Sequence, residues 1–286
     1  MNLDKIENLP PKPLNTLKNE HLNEGIPSIV GCIYDKAQMG DKDKTFFDNF
    51  KKSAVFVDYK KTVNQIDLLR EGHMSAGKKS YVISRIDNQN KYSNNYLDCT
   101  GFVCSGIDKR TGENMSFLVH LDPNFLLMNN NENKIKFRDD LNRRLDEMNS
   151  ICKQGSIDVG IFGGNKGFVL DTVPDEDFKN GVDNEFEYLR SEYSDYADSI
   201  HFLDFIISKR MNFSPTVLIG PSNNFKSLDK DLTESKDSLA VYFDNKNRRL
   251  YEVRPENDLE NNESFLAKDV EEQIKKIKSK EEERKK

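Results

Sequence analysis

Cys99-Thr-Gly-Phe-Val-Cys-Ser-Gly-Ile107, then Asp108-Lys-Arg-Thr-Gly112, then Asn114-Met-Ser-Phe-Leu-Val-His-Leu121 is the stretch that decides the fold. The two outer segments are rich in aromatic and β-branched residues and read as strands, and the middle one has the composition of a tight turn with Gly at its end. A hairpin is therefore expected. Centred near Arg110, it pairs residues whose numbers sum to 219 or 220. Cys99 then falls opposite His120 or one residue away, and Cys104 falls opposite the region of Met115 and Ser116.

Strand alternation sorts the side chains. Thr100, Phe102 and Cys104 share a face with Phe117 and Val119 across from them, an apolar set that reads as core. Cys99, Gly101, Val103 and Ser105 share the other face with Ser116, Leu118 and His120. That set is smaller and more polar, as the floor of a cleft is. Cys104 is the expected structural thiol and Cys99 the candidate nucleophile. A nearby imidazole stabilises a thiolate and later protonates a leaving group, so Cys99 and His120 together fit thioester chemistry on an amide. The plain alternative is a Cys and a His that merely pack side by side.

Outward from the hairpin, a stripe of Phe137, Leu141, Leu145, Met148 and Ile151/Cys152 marks an amphipathic helix over about 136–153. Ser156–Phe162 reads as a strand running into Gly163-Gly164-Asn165, Asn184–Arg210 as a long helical region, and Thr216–Gly220 as a strand. Ser238–Phe243 and Arg248–Arg254 flank Asp244-Asn-Lys-Asn247, a second hairpin signal. Upstream, Ser28–Tyr34, Ala54–Asp58 and Tyr81–Ile86 read as strands, and Lys44–Lys52 and Lys61–Arg70 as helices. Interleaved helices with two hairpins predict an α+β fold, layered mixed or antiparallel sheets flanked by helices. The organisation expected is an N-terminal extension over 1–79 packing on the core, a domain over 80–255, and a charged helix or tail over 256–286.

Composition narrows the classes. The 286 residues carry 43 basic and 49 acidic side chains, a net charge of -6, which argues against a protein built to grip nucleic acid. No run of about 18 apolar residues occurs, so no transmembrane segment is expected, and the N-terminus lacks the basic-then-apolar pattern of a Sec signal. The four cysteines, Cys32, Cys99, Cys104 and Cys152, show no CxxC and no zinc-ligand spacing with the histidines, so no structural metal site is expected, and no cofactor is expected either. They fit a reducing compartment: the cytoplasm, or a host cell entered without a Sec signal. The other histidines, His21, His73 and His201, are weaker candidates. The 30 Asn residues fit the coding bias of an AT-rich genome, so single Asn positions carry little weight.

Asp98-Cys99 at a strand start, the turn, and Phe117-Leu-Val-His120 followed by Pro123 resemble the catalytic hairpin of CheD-like glutamine deamidases, and of deamidase toxins of the cytotoxic necrotizing factor type. Ser156-Ile-Asp-Val-Gly-Ile-Phe-Gly-Gly-Asn165 is similar to the strand of that family that ends in Phe-Gly-Gly after a helix. The order hairpin, helix, Phe-Gly-Gly strand, helix, strand, hairpin is matched over roughly 80–255. The resemblance implies a cysteine-dependent protein glutamine deamidase, in which a protein is the substrate and Cys99 and His120 are the catalytic pair. Ser93 stands where the family has a Thr six residues before its Cys, and Asp98 and Asp122 are the competing partners for the imidazole. Gly163, Gly164 and Asn165 are implied to lie close to the site or the substrate chain. Departures are Tyr96-Leu97-Asp98, where the family has small residues, and a Cys–His separation longer by a few residues. A transglutaminase-type acyl transfer on the same pair, and a silent protein-binding module on the same scaffold, are the competing functions.

Overall fold

The structure, a computed structural model, describes residues 12–13, 19–36, 39–57, 72–75, 81–94, 96, 99–121, 131–163, 199–218 and 240–254. The strands are β1 (Lys12–Pro13), β2 (Val30–Asp35), β3 (Val55–Phe56), β4 (Met74–Ser75), β5 (Tyr81–Ile83), β6 (Lys91–Asn94), β7 (Thr100–Ile107), β8 (Asn114–Leu121), β9 (Asp158–Gly163), β10 (Thr216–Val217), β11 (Ala240–Asp244) and β12 (Arg249–Arg254). The helices are α1 (Asp41–Ser53), α2 (Asn131–Ile151) and α3 (Ser199–Met211). The expected helix over 61–70, the first part of the long helical region and the charged tail lie outside the described residues.

Two mixed sheets form, with strand orders β1-β2-β12-β11-β6-β3 and β10-β9-β7-β8-β5-β4. The fold is α+β with layered sheets, as expected. Alternation along the central strands builds the layers. Phe102, Cys104, Phe117, Val119 and Ile161 point to one side of the second sheet, where they meet Phe137, Leu141, Leu145 and Met148 of α2 and Leu203, Ile206 and Ile207 of α3. Their neighbours Val103, Leu118 and Phe162 point to the other side and meet Val241, Phe243 and Leu250 of the first sheet. Tyr242 and Tyr251 point away from that interlayer and are covered by Phe47 and Phe50 of α1. The order of layers is thus helix, sheet, sheet, helices. The upstream strands β2 and β3 are woven into the first sheet, because β2 pairs in parallel with β12 and β3 pairs in parallel with β6.

The first hairpin forms, with one change of register. The pairs run from Ile107 with Asn114 to Thr100 with Leu121, a constant sum of 221. The physical reason is the turn: Asp108 Oδ1 accepts from the backbone N–H groups of Arg110 and Thr111, at 2.6 and 3.1 Å. This Asx turn moves the apex to between Arg110 and Thr111, with Gly112 in the left-handed region at φ +75°. Cys104 is accordingly opposite Phe117, and His120 opposite Gly101.

Candidate active site

Cys99 immediately precedes β7, and His120 lies near the end of β8 opposite Gly101. The two residues occupy diagonal positions on one face of the sheet, a relationship that leaves β-carbons within reach of long and aromatic side chains. The face itself is a correction to the sequence reading. It is not the floor of an open cleft but the inner side of the sandwich, and both Cys99 and His120 are 0% exposed. The first sheet covers them, and Cys99 packs in the same cluster as Tyr96, Val103, Leu118 and Phe162.

Ser93 comes from that covering sheet. It sits on β6, a strand whose inward positions are Lys91 and Ser93 and whose outward positions are Tyr92 and Asn94. Ser93 Oγ lies 3.0 Å from His120 Nδ1 and also donates to the carbonyl oxygen of Val57. A hydroxyl has one proton, and a carbonyl can only accept, so the Ser93 proton is committed to Val57. Towards the imidazole Ser93 therefore accepts, Nδ1 carries the hydrogen, and Nε2 holds the basic lone pair. This is the tautomer a general base acting through Nε2 needs. Of the three residues weighed as the partner of His120, Ser93 makes this bond; Asp98 and Asp122 lie outside the described residues.

Two aromatic rings lie at or near His120 among the described residues. Tyr96 stacks on His120 with ring centroids 4.0 Å apart and planes 15° from parallel. Phe162 meets Tyr96 edge-on at 5.2 Å. In the sequence Phe162 appears only as the Phe of the Phe-Gly-Gly strand and Tyr96 only as a departure from the family pattern, and nothing there assigns either a role at His120.

Gly163 is placed beside the candidate nucleophile. It pairs with Thr100 on β9, at φ +79°, and a β-carbon on it stands 2.6 Å from the Cys99 carbonyl oxygen. Only glycine allows this approach without displacing the Cys99 backbone. Gly101 has the same property towards Phe162, whose ring atoms would lie 2.7 Å from a β-carbon at that position, so its missing side chain makes the room that the Phe162 ring fills. Gly164 and Asn165 lie outside the described residues.

The remaining thiols are buried, as Cys99 is. Cys104 is buried against α2, and desolvation raises its pKa well above the ordinary thiol value. Burial pushes Cys152 up to about 11 and raises Cys32 as well. None of the four cysteines is in a disulfide. His21 is stacked on Phe213 and lies 3.0 Å from the Ile157 carbonyl, and His73 accepts from the Arg85 backbone N–H. Among the described residues no three His, Cys, Asp or Glu side chains are grouped to hold a metal ion, and no helix is long and apolar enough to cross a membrane.

Comparisons with protein-family models, with curated proteins and with solved structures gave no match for this chain.

Proposed function

We propose that the protein is a cysteine-dependent protein glutamine deamidase of the CheD-like type, with Cys99 as nucleophile, His120 as general base and acid, and Ser93 as the residue that fixes the imidazole tautomer. The observation that carries this reading is the hydrogen bond from His120 Nδ1 to Ser93. It joins two sheets, and the Ser is the one that the resemblance aligns with the family's Thr. The approach of Gly163 to the Cys99 backbone agrees with a Phe-Gly-Gly strand that shapes the site.

The chemistry follows from these groups. His120 Nε2 takes the Cys99 proton, and the thiolate attacks the carboxamide carbon of a glutamine, forming a C–S bond. Collapse of the tetrahedral adduct breaks the C–N bond, and the nitrogen takes the proton from Nε2 and departs as ammonia. Water, deprotonated by Nε2, then attacks the thioester. The C–S bond breaks, giving glutamate and the restored thiol.

The complete burial of Cys99 and His120 favours one second reading, a scaffold that keeps the pair as packing and acts by binding another protein. Incubation with a panel of glutamine-containing proteins separates the two. Deamidation releases ammonia and adds about one dalton per event, the change from amide to acid, and Cys99→Ser abolishes both signals. Incorporation of an added primary amine in place of water identifies the acyl-transfer variant. Identical behaviour of wild type and Cys99→Ser on every protein tested sinks the enzymatic reading.

A further inference from the structure

We infer that Tyr96 is a positioning residue for His120: its ring sets the plane of the imidazole that Ser93 alone leaves free to tilt. The inference rests on the Cys99–His120 reading and adds to it a residue at one of the positions where this chain departs from the CheD-like pattern.

A single hydrogen bond at Nδ1 restrains one edge of the tethered imidazole and leaves the ring free to tilt within that bond's angular tolerance. Tyr96 removes that freedom, because its ring lies nearly parallel to the His120 ring at stacking distance. Tyr96 is itself held. It is 2% exposed, its edge contact with Phe162 is 5.2 Å long, and its hydroxyl reaches the Val119 carbonyl at 3.5 Å. Phe162 occupies its place because its cross-strand neighbour, Gly101, has no side chain. Gly101 and Val82 are also the residues paired with His120 on its two flanking strands. The imidazole is thus flanked by the Gly101 backbone on one strand and by Val82 on the other, with Ser93 at one nitrogen and Tyr96 across one face. An imidazole that tilts carries its Nε2 lone pair away from the sulfur, and a misplacement of about 1 Å in a catalytic group costs on the order of 10²-fold in rate.

The test reads Cys99 alkylation by iodoacetamide as a function of pH, because access scales the rate at every pH whereas the midpoint reports the coupling of thiol to imidazole. Wild type and Tyr96→Phe, which keeps the ring, are expected to share a midpoint below the free-thiol value of about 8.5. Tyr96→Leu and Tyr96→Met, which fill the space without a flat face, are expected to return the midpoint to about 8.5. His120→Asn is the control. If His120→Asn raises the midpoint and neither ring-deleting variant does, Tyr96 is only a cover and the inference is overturned while the dyad stands. If His120→Asn leaves the midpoint at the wild-type value, the dyad itself fails and the inference falls with it. Wild-type protein supplies a check that needs no variant. Imidazole ¹⁵N spectra should show His120 in the Nδ1–H form, with nuclear Overhauser effects to the Tyr96 ring protons, and an Nε2–H form or the absence of those effects overturns the assignment.

Discussion

Ser93 and His120 stand on opposite sheets of the sandwich and are joined by a 3.0 Å hydrogen bond between Oγ and Nδ1. The bond does two things at once. It selects the tautomer with a basic Nε2, and it ties the β6 strand to β8 across the interlayer between the two sheets. A third element holds the Ser93 proton, since the hydroxyl donates to Val57 just beyond β3.

Removing that hydroxyl therefore costs both structure and reactivity. Ser93→Ala leaves a buried carbonyl and a buried ring N–H without their shared partner, and a lost stability of about 1–3 kcal/mol is expected. Ser93→Thr keeps the oxygen and should recover most of the loss. Urea denaturation of the two variants measures the stability, and the pH midpoint of Cys99 alkylation measures the coupling. Equal behaviour of Ala and Thr variants in both assays contradicts the role given to the hydroxyl.

Gly163 can be separated into two effects by comparison with Gly112. Both are in the left-handed region, at φ +79° and +75°. Nothing lies within 4 Å of a β-carbon at Gly112, whereas one at Gly163 meets the Cys99 carbonyl at 2.6 Å. Gly112→Ala should cost only the conformational penalty, about 1–2 kcal/mol. Gly163→Ala should cost that and more, because backbone must move, and it should also change the reactivity of Cys99. Thermal denaturation and thiol labelling of the pair decide this; a Gly163→Ala variant no less stable than Gly112→Ala and labelled like wild type removes Gly163 from the site.

The parts of this architecture that were legible in the sequence are those where chemistry and periodicity agree. The α2 stripe of Phe137, Leu141, Leu145 and Met148 is wholly buried, and the sorting of Phe102 and Cys104 from Cys99 and Val103 holds along β7 and the residue before it. The β6 strand was not legible. Its inward residues are Lys91 and Ser93, so its pattern has no apolar alternation, and Lys91 is buried only because Asp87 and the Gln89 carbonyl receive its ammonium at 2.5 and 2.8 Å. The register differs by a step because an Asx turn at Asp108 shifts the hairpin apex, a side-chain effect that strand patterns do not encode. The closed setting of Cys99 escapes the sequence for a related reason. Alternation says which side chains share a face, and it does not say which other sheet covers that face.

Thiol chemistry should discriminate among the four cysteines. Burial raises Cys104, Cys152 and Cys32, and each is held largely as the protonated thiol near neutral pH. Under the dyad reading, limited alkylation of folded protein at about pH 7–8 should label Cys99 ahead of the other three by at least about tenfold, with all four labelled alike in urea. Peptide mapping of the labelled protein gives the order. Uniformly slow labelling of the folded chain favours the binding scaffold.

His73 gives the fold a pH dependence of its own, separate from the candidate site. It is buried, its Nδ1 accepts from the Arg85 backbone N–H at 3.1 Å, and desolvation with the nearby Arg85 and Arg144 charges lowers its pKa from 6.5 to about 4. Protonation of Nδ1 turns an acceptor into a donor facing another donor, so the cation is excluded by hydrogen bonding as well as by burial. The sign follows from linkage. Between pH 6.5 and about 4 the unfolded chain binds the proton and the folded chain does not, so stability is full above 6.5 and falls as the pH drops through that window. The loss attributable to this residue is on the order of 3 kcal/mol, since each tenfold change in proton affinity is worth about 1.4 kcal/mol. His73→Asn, whose side-chain oxygen can take the Arg85 N–H and does not titrate, should lower stability at neutral pH but flatten its slope between about 4 and 6.5. Urea midpoints across that range provide the measurement, and a variant with the wild-type slope assigns the acid sensitivity to other groups.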